Sequence, residues 1–444
     1  GNDTLSSNIS GHNNVALGRN VLFNSTTGSD NVGIGTCTLV NSTTSGQNVG
    51  VGAYSLNALT TGLCNTALGF KSGAAITTAQ YNVTIGWESM CSNATGNGNI
   101  AVGVRSMRCA TGGVNNVALG TSAIGSGVST GSINVAVGAS ALFSNTTGAL
   151  NVAIGANAFC SNTTGYDNVV IGSNSGTSSE GSKVNNVFIG SNSAQCASTS
   201  TSTLVGTYSG KYTVGNANTA LGYQSLLGQW DAVNSVSLST GYYNTALGYR
   251  SLSCYKSNVG LVAVGHDAAY SVCTGNYGVA VGYCAAGNAT YLGNTTAVGA
   301  CALYNNTVAS NTAFGALAAT SATTGGYITA IGSAALVNHT TGNHNTAIGS
   351  NAGASVTTSS SGLYVGSSAG TCTTTASGHY LGYRAGYLQT GYANTALGES
   401  SMSGVSGCTN AGGYNTAIGH RVLQYLDTGN YNTALGYFAG INIT

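Results

Sequence analysis

Charged residues are almost absent from this sequence. Ten Lys or Arg and nine Asp or Glu make up 4% of its 444 residues, and the formal net charge is +1. A typical globular domain carries about a quarter of its residues as charges. Because so few cations cannot assemble a basic patch, we expect neither nucleic acid nor an anionic membrane surface as a partner.

Long apolar runs, metal-binding motifs and clustered carboxylates are missing as well. No uninterrupted apolar run approaches the roughly 20 residues that span a bilayer, so we expect no membrane insertion. None of the 12 Cys belongs to a C-x-x-C pair, and His339 with His344 is the only close pair among six His. We therefore predict no metal ion and no cofactor. The nine acidic residues form no calcium repeat and no catalytic pair, which predicts a protein that is not an enzyme.

Proline is absent too, whereas Gly and Tyr are abundant and a short motif recurs. The motif reads "NVALG" at 14–18, "NTALG" at 65–69 and "NTAIG" at 345–349. Its final Gly, the marker glycine, recurs 25 times, and 15 of the 24 spacings are 17 residues. The marker glycines are residues 18, 35, 52, 69, 86, 103, 120, 138, 155, 172, 190, 206, 222, 248, 265, 282, 299, 315, 332, 349, 366, 382, 398, 419 and 436. Such regularity indicates an ordered repeat protein.

Each place in the motif suggests a physical role, with positions counted from the marker glycine. Position −1 is Leu, Ile, Val or Phe in all 25 units, which predicts a buried aliphatic spine. Position −2 is mostly Ala, and in an extended segment it points to the opposite face, toward a close neighbour. Position −4 is Asn in 18 units, which predicts a ladder of stacked amides. The marker Gly permits a backbone angle at a corner.

The fold class that fits this pattern is all-β. Units this short, rich in Gly and broken by Thr-Thr-Gly turns, do not support helices. We predict a parallel β-solenoid, a β-roll or β-helix, of about 25 coils with two short strands and two bends in each. Stacking at about 4.8 Å per coil makes a rod on the order of 120 Å long. The expected organisation is one repetitive domain over 1–444, with insertion loops near 226–241 and 402–413.

The motif N-[TV]-A-[LIV]-G, followed by x-x-[SA]-[LAG] and a Thr-Thr-Gly turn, resembles the repeats of phage and giant-virus tail-fibre-like proteins. More distantly it is similar to the head repeats of trimeric autotransporter adhesins. The resemblance covers almost the whole chain. It implies a left-handed parallel β-roll, association into trimers and a role as a surface fibre or attachment device. The adhesin repeat is shorter than 17 residues, and adhesins of that type are generally poor in Cys.

The cysteines fall in register with the repeat. Cys284 and Cys301 both follow a marker glycine by two residues in consecutive coils, so their Cα atoms are expected about one rung apart, within disulfide range. Two further candidate pairs are Cys91 with Cys109 and, less well matched, Cys254 with Cys273. The alternative is that these residues are free Cys acting as small buried hydrophobes.

Asparagine, tyrosine and tryptophan supply candidate contact and modification sites. The sequence has 13 N-x-[ST] triplets, and six of them are taken as candidate glycan acceptors, although Asn-Thr-Thr-Gly is also ordinary turn chemistry. These acceptors are Asn24, Asn41, Asn93, Asn145, Asn162 and Asn338. Tyr414 and Tyr431 belong to rows that either bind sugars or a subunit or stack between rungs. Trp230, in the first insertion, is either an interface anchor or a cover for the rod.

We hypothesise a non-enzymatic structural protein that is extracellular or lies on a cell or virion surface. In this hypothesis it is the subunit of a fibre, a homopolymer whose uncapped solenoid ends pair head to tail by β-augmentation, or a homotrimer. The alternative is an adhesin or receptor-binding shaft that binds surface glycans or proteins through loops and Tyr rows. Ice binding through flat Thr ladders is disfavoured because the Thr-Thr-Gly turns are irregular.

Overall fold

The computed structural model describes residues 1–93, 95–125, 129–178, 181–231, 236–237, 239–373, 377–404 and 411–441. These ranges are all-β and contain no α-helix, so no helix in them is long and apolar enough to cross a membrane. The chain divides into an N-terminal unit, Gly1–Ala217, and a C-terminal unit, Asn218–Thr444. Both units are built from the same repeat, and the expected single domain over 1–444 stays a prediction.

Each repeat contributes one short strand, the motif strand, which ends just before the marker glycine. The motif strands of the N-terminal unit are Val15–Leu17, Val32–Ile34, Val49–Val51, Thr66–Leu68, Val83–Ile85, Ile100–Val102, Val117–Leu119, Val135–Val137, Val152–Ile154, Val169–Ile171, Val187–Ile189 and Thr203–Val205. Those of the C-terminal unit are Thr219–Leu221, Thr245–Leu247, Val262–Val264, Val279–Val281, Thr296–Val298, Thr312–Phe314, Thr329–Ile331, Thr346–Ile348, Leu363–Val365, Gly378–Leu381, Asn394–Leu397, Thr416–Ile418 and Thr433–Leu435.

Neighbouring motif strands pair in parallel and in the register of the repeat. Val117 lies opposite Val135, and Leu119 lies opposite Val137. The same motif-on-motif register holds in the C-terminal unit, where Thr329 lies opposite Thr346. The sequence period is therefore also the spatial period, and the predicted parallel β-solenoid with a 17-residue repeat is confirmed.

Most turns of the solenoid carry one strand rather than the predicted two. After each marker glycine the residues at positions +2 and +4 have left-handed backbone angles, as at Cys37 (φ 54°) and Leu39 (φ 52°). A third lies at position −5, as at Gln47 (φ 60°). Left-handed residues curl the chain and interrupt an extended segment. Among the residues that the structure describes, the second strand is present only locally, at Thr213–Val214, Ser239–Tyr242, Ser257–Val259 and Thr274–Asn276.

The predicted orientation of the motif strand was wrong, because Ala rather than the aliphatic residue faces the core. Ala67 is fully buried, whereas Leu68 beside it is 48% exposed. The interior is narrow and is filled from the opposite wall by the residue at +4, as by the buried Leu56. At Gly50, also at position −2, an added Cβ would lie only 2.8 Å from Thr38 Cγ2. A three-residue strand alternates, so an inward Ala places both aliphatic neighbours outside.

Where the core residue at position −2 is a tyrosine, the residue at position +4 of the same turn is glycine. The buried Tyr364 and Tyr380 stand at position −2, and the +4 residues of their turns are Gly370 and Gly386. A Cβ on Gly370 would lie 2.4 Å from the Tyr364 ring, and one on Gly386 would lie 2.3 Å from the Tyr380 ring. The cross-section of a turn thus stays nearly constant, as close packing requires.

The predicted asparagine ladder is confirmed. Asn31 donates from its backbone N and its Nδ2 to Asn14 Oδ1, at 3.0 and 3.2 Å. Its Nδ2 also donates to the carbonyl of Ser45 in the following turn, at 2.9 Å. Bonds of this kind continue turn after turn to Asn186 in the N-terminal unit. The ladder supplies hydrogen-bond partners to side chains that would otherwise be costly to bury.

The first insertion leaves the repeat as a small hairpin. Trp230–Asp231 pairs antiparallel with Val236–Ser237, in contrast to the parallel pairing of the motif strands. Residues 232–235 and 238 lie outside the described part of the chain, as do residues 405–410 of the second insertion.

Candidate functional site

The outward side chains of the N-terminal motif strands form two aliphatic ladders, which we call the outer face. At position −3 the ladder reads Val, Val, Val, Thr, Val, Ile, Val, Val, Val, Val, Val, Thr, and at position −1 every residue is Leu, Ile or Val. All 24 side chains are half-buried or exposed, and Leu17 reaches 63%. The outer face carries no charged residue, and its polar side chains are limited to Thr66 and Thr203, so little on it favours water over another apolar surface.

The outer face is large for a surface left in water. Twelve strands about 4.8 Å apart make it about 50 Å long, and three residues at about 3.3 Å make it about 10 Å wide, on the order of 500 Å². The largest apolar patch of a typical monomer is about 300–600 Å² and is often functional. The outer face therefore has the dimensions of an interaction surface.

The C-terminal unit presents a more polar version of this surface. Its position −3 is Thr in nine of 13 motif strands, for example Thr312 and Thr346, while position −1 stays aliphatic or aromatic, as at Phe314. A Thr ladder offers hydroxyls where the N-terminal unit offers methyl groups. The two units thus differ in the chemistry of the same sheet face.

Aromatic rings stack from turn to turn along two rows. At position +1 of four consecutive repeats, Tyr223, Tyr249, His266 and Tyr283 stack with ring centroids 5.4, 4.8 and 5.4 Å apart. At position −5, Tyr414 and Tyr431 stack at 5.2 Å with an interplanar angle of 7°. Stacked neighbours cover the ring faces and leave edges and hydroxyl groups toward solvent, although Tyr431 itself is 79% exposed. The rows therefore brace adjacent turns.

An open groove of about 500 Å³ lies on the turns that follow the marker glycines of the N-terminal unit. It is lined by aromatic, charged and amide side chains, among them Tyr54, Asn57, Lys71, Glu88 and Arg108. Glu88 Oε2 lies 3.3 Å from Arg105 Nε and 3.6 Å from Arg108 Nε. The groove thus combines an aromatic surface with fixed polar groups, the combination that a polar ligand requires.

Three possible metal ligands meet on two adjacent turns of the C-terminal unit. The donor atoms of His266, Asp267 and Cys284 all lie within 4.8 Å of one another. His266 Nδ1 is 3.2 Å from Asp267 Oδ2, and Arg250 Nε is 3.5 Å from Asp267 Oδ1. Burial raises the pKa of the Cys284 thiol. The sequence interpretation missed this cluster, although its residues occupy positions +1 and +2 of consecutive repeats.

All 11 cysteines in the described ranges are free thiols. The candidate disulfides are therefore not confirmed: Cys91 with Cys109, Cys254 with Cys273, and Cys284 with Cys301. The described cysteines are half-buried rather than fully buried, so the alternative of small core hydrophobes fits them only in part. Cys408 lies outside the described part of the chain.

The six candidate glycan acceptors fall into two groups. Asn93, Asn145 and Asn162 are buried, and the Nδ2 atoms of Asn145 and Asn162 donate hydrogen bonds inside the turn or to the adjacent Asn. The folded chain has no space for a glycan at these three. Asn24 is half-buried, and Asn41 and Asn338 are exposed. The side-chain amides of these three residues are therefore accessible from solvent as glycan acceptors.

The remaining predicted site residues behave differently from one another. His339 and His344, the close pair in sequence, point apart: His339 is buried with Nε2 at 2.9 Å from Asn345 Nδ2, and His344 stacks on Tyr327 at 4.9 Å. Burial lowers the pKa of His339 to about 4. The structure describes only the backbone of Trp230, so its role as a contact residue stays a prediction.

No protein-family model matches the chain, and no curated protein is significantly similar to it. The resemblance to tail-fibre and adhesin repeats therefore rests on the motif residues alone. What the chain does must be argued from its own surfaces.

Proposed function

We propose that the chain is a non-enzymatic structural subunit that self-associates through the outer face of its N-terminal unit to build a surface or extracellular fibre. The observation that carries the proposal is the pair of aliphatic ladders, in which 22 of the 24 side chains are Val, Ile or Leu and none is charged. Packing two such faces together removes apolar side chains from water at about 25 cal/mol per Å² of buried surface.

A second copy of the chain is the partner that fits the outer face best. An identical solenoid repeats at the same interval, so ladders of methyl groups on two copies can interdigitate along their whole length. Because the outer face has no charged residue, it offers a different protein no electrostatic complementarity. A stable interface needs about 800 Å² on each partner, which the outer face reaches when flanking side chains such as Phe70, Trp87 and Val104 contribute. Both a trimer and a larger bundle satisfy this geometry.

The test is the mass of the particle in solution. Leu68→Lys with Leu119→Lys places two cations on the outer face at side chains that are already exposed. We expect multi-angle light scattering to give an oligomer for the unchanged protein and a monomer for this variant.

The control puts the same charges elsewhere. Thr44→Lys with Thr61→Lys alters exposed residues of two turns, one reading Thr-Thr-Ser-Gly and the other Thr-Thr-Gly, and should leave the oligomer intact. A monomeric unchanged protein at micromolar concentration, or equal dissociation of both variants, contradicts the proposal. Circular dichroism of each variant verifies that the β fold is retained. Head-to-tail pairing of solenoid ends is a separate prediction, and negative-stain images in which rods of about 120 Å never lengthen would refute it.

A second proposed function is that of an adhesin or receptor-binding shaft, and the groove of the N-terminal unit supports it. Tyr54 offers an aromatic surface, and Asn57, Glu88 and Arg108 offer groups that bind hydroxyls. A glycan array probed with the unchanged protein should show binding that Tyr54→Ala removes. Trp230→Ala should keep this binding, because loss of binding in that variant would place the glycan site at the insertion instead of the groove. Absence of binding to any glycan on the array argues against a sugar-binding shaft.

A further inference from the structure

We propose that His266, Asp267 and Cys284 bind a divalent transition-metal ion, with Zn²⁺ the best match to their chemistry. Imidazole, carboxylate and thiolate are the three protein ligand types of zinc sites. Thiolate disfavours Mg²⁺ and Ca²⁺, which prefer oxygen alone. Three protein ligands leave a fourth position for water, and the exposed imidazole of His266 keeps that position open to solvent.

The repeat itself places the three ligands. Asp267 and Cys284 both stand at position +2, with left-handed φ angles of 53° and 51°, and His266 is the +1 neighbour of Asp267. The motif strands Val262–Val264 and Val279–Val281 that precede them pair in parallel. The Cys284 N–H donates to the carbonyl of His266 at 2.9 Å. The backbone that presents the ligands is therefore held on both turns.

The separations suit a tetrahedral ion. Metal bonds of about 2.0–2.1 Å to nitrogen and oxygen put two tetrahedral ligands about 3.3 Å apart, and His266 Nδ1 lies 3.2 Å from Asp267 Oδ2. A Zn–S bond of about 2.3 Å requires sulfur about 3.6 Å from the other two atoms. All three donor atoms already lie within 4.8 Å, so a small rotation of the Cys284 side chain completes the set.

The surroundings hold two of the ligands in place. The His266 ring lies between Tyr249 and Tyr283, with interplanar angles of 18° and 29°, which restricts the direction of its ring nitrogens. Arg250 approaches Asp267 Oδ1, which is buried and accepts no hydrogen bond, and leaves Oδ2 toward His266. When the ion replaces the proton of the Cys284 thiol, carboxylate and thiolate together outweigh the single guanidinium and offset the charge of the cation.

The ion and the candidate Cys284–Cys301 disulfide exclude each other, because both use the same sulfur. Reduced protein is therefore the form that should bind metal. Cys301 also provides the matched control, since it occupies position +2 one turn further on and its sulfur is not part of the cluster.

The experiment is a Co²⁺ titration of the reduced full chain, followed by absorption. We expect one equivalent to give a thiolate-to-cobalt charge-transfer band with tetrahedral visible bands, and Zn²⁺ to displace it. Cys284→Ser should remove the charge-transfer band. His266→Phe, which keeps the aromatic stack, and Asp267→Asn should each weaken Co²⁺ binding at least tenfold. Cys301→Ser should retain the band and the affinity.

Three results overturn the proposal. One is a Cys284→Ser protein that keeps the band, which would assign it to other thiols. Another is a Cys301→Ser protein that loses it, which would make the site a cysteine pair without His266 or Asp267. No thiolate band at all in the reduced unchanged protein also refutes it. Urea unfolding of each variant without metal separates loss of binding from loss of fold.

Discussion

The side-chain oxygen of Asn99 accepts two hydrogen bonds from Asn116, one from its backbone N at 2.9 Å and one from its Nδ2 at 3.2 Å. Asn116 in turn accepts from the backbone N of Asn134 at 2.8 Å and donates to the carbonyl of Gly131 at 2.9 Å. One buried amide thus ties three consecutive turns. Asn134 and Asn151 make the same set of bonds one and two turns further on.

Asn116→Ala should therefore lower the free energy of unfolding by about 2–4 kcal/mol, because each buried group left without a partner costs about 1–3 kcal/mol. Urea unfolding followed by circular dichroism measures the change. The neighbouring Asn115 is exposed and left-handed at φ 56°, so Asn115→Gly should change stability by less than about 1 kcal/mol. Equal losses at both positions would mean that the ladder does not contribute.

The reversed orientation of the motif strand makes a prediction that runs against ordinary sequence intuition. Ala67→Leu adds three carbons to a filled interior and should cost about 1–3 kcal/mol. Leu221→Thr removes an aliphatic group from a site that is 54% exposed and lies outside the proposed interface, and it should change stability by less than about 0.5 kcal/mol. Thermal unfolding of the two variants gives the comparison, and a more stable Ala67→Leu protein would restore the original assignment of the core.

Marker glycines should tolerate no side chain. Gly120 has φ +140°, and a Cβ there would lie 2.5 Å from the carbonyl oxygen of Gly138 in the next turn. Gly120→Ala should destabilise the protein by at least about 2 kcal/mol through backbone strain and contact. Gly112 has an ordinary φ, and the nearest atom to its added Cβ is 3.8 Å away, so Gly112→Ala should be neutral or slightly stabilising. The melting temperatures of the two variants check both statements.

His339 should make the C-terminal unit sensitive to acid. Burial lowers its folded-state pKa from 6.5 to about 4, so between these values the unfolded chain binds the proton and the folded chain does not. Stability is fully present above pH 6.5 and is lost as pH falls toward 4, by about 3 kcal/mol in total. Urea midpoints at pH 7.5, 5.5 and 4.5 measure the trend.

Asparagine is the matched replacement for this histidine. Asn145 and Asn162 occupy the corresponding position of their turns, and both donate from Nδ2 to a turn carbonyl. His339→Asn should keep the fold and flatten the acid dependence over this range. A variant as acid-sensitive as the unchanged protein would place the titrating group elsewhere.

The register of the solenoid was predictable because each copy of the motif pairs with the next copy: Asn lies over Asn, and marker glycine over marker glycine. Which side of the motif strand faces the core was not predictable. Ala and Leu alternate in either orientation, and only the cross-section of the turn decides between the two orientations. The sequence signal for the orientation is the pairing of Tyr364 with Gly370 and of Tyr380 with Gly386, which marks positions −2 and +4 as neighbours in one core.

The cluster of His266, Asp267 and Cys284 was missed for a related reason. Metal motifs are usually sought at helix or hairpin spacing, whereas a solenoid brings together residues one period apart. Asp267 and Cys284 are 17 residues apart, one full turn. The same 17-residue spacing places Cys284 next to Cys301, which predicted a disulfide. It also places Cys284 next to His266 and Asp267, which that prediction left out.

The residues with left-handed backbone angles affect how the chain folds. In most turns three of them are not glycine, and each costs about 1 kcal/mol or more in isolation. Bonds to adjacent turns offset that cost, as where Cys37 N donates to Arg19 O at 2.9 Å and Leu39 N to Ser55 O at 3.1 Å. A single excised repeat should therefore be a random coil. Folding must begin with a slow nucleus of several turns and then advance as a front, each finished turn acting as the template for the next.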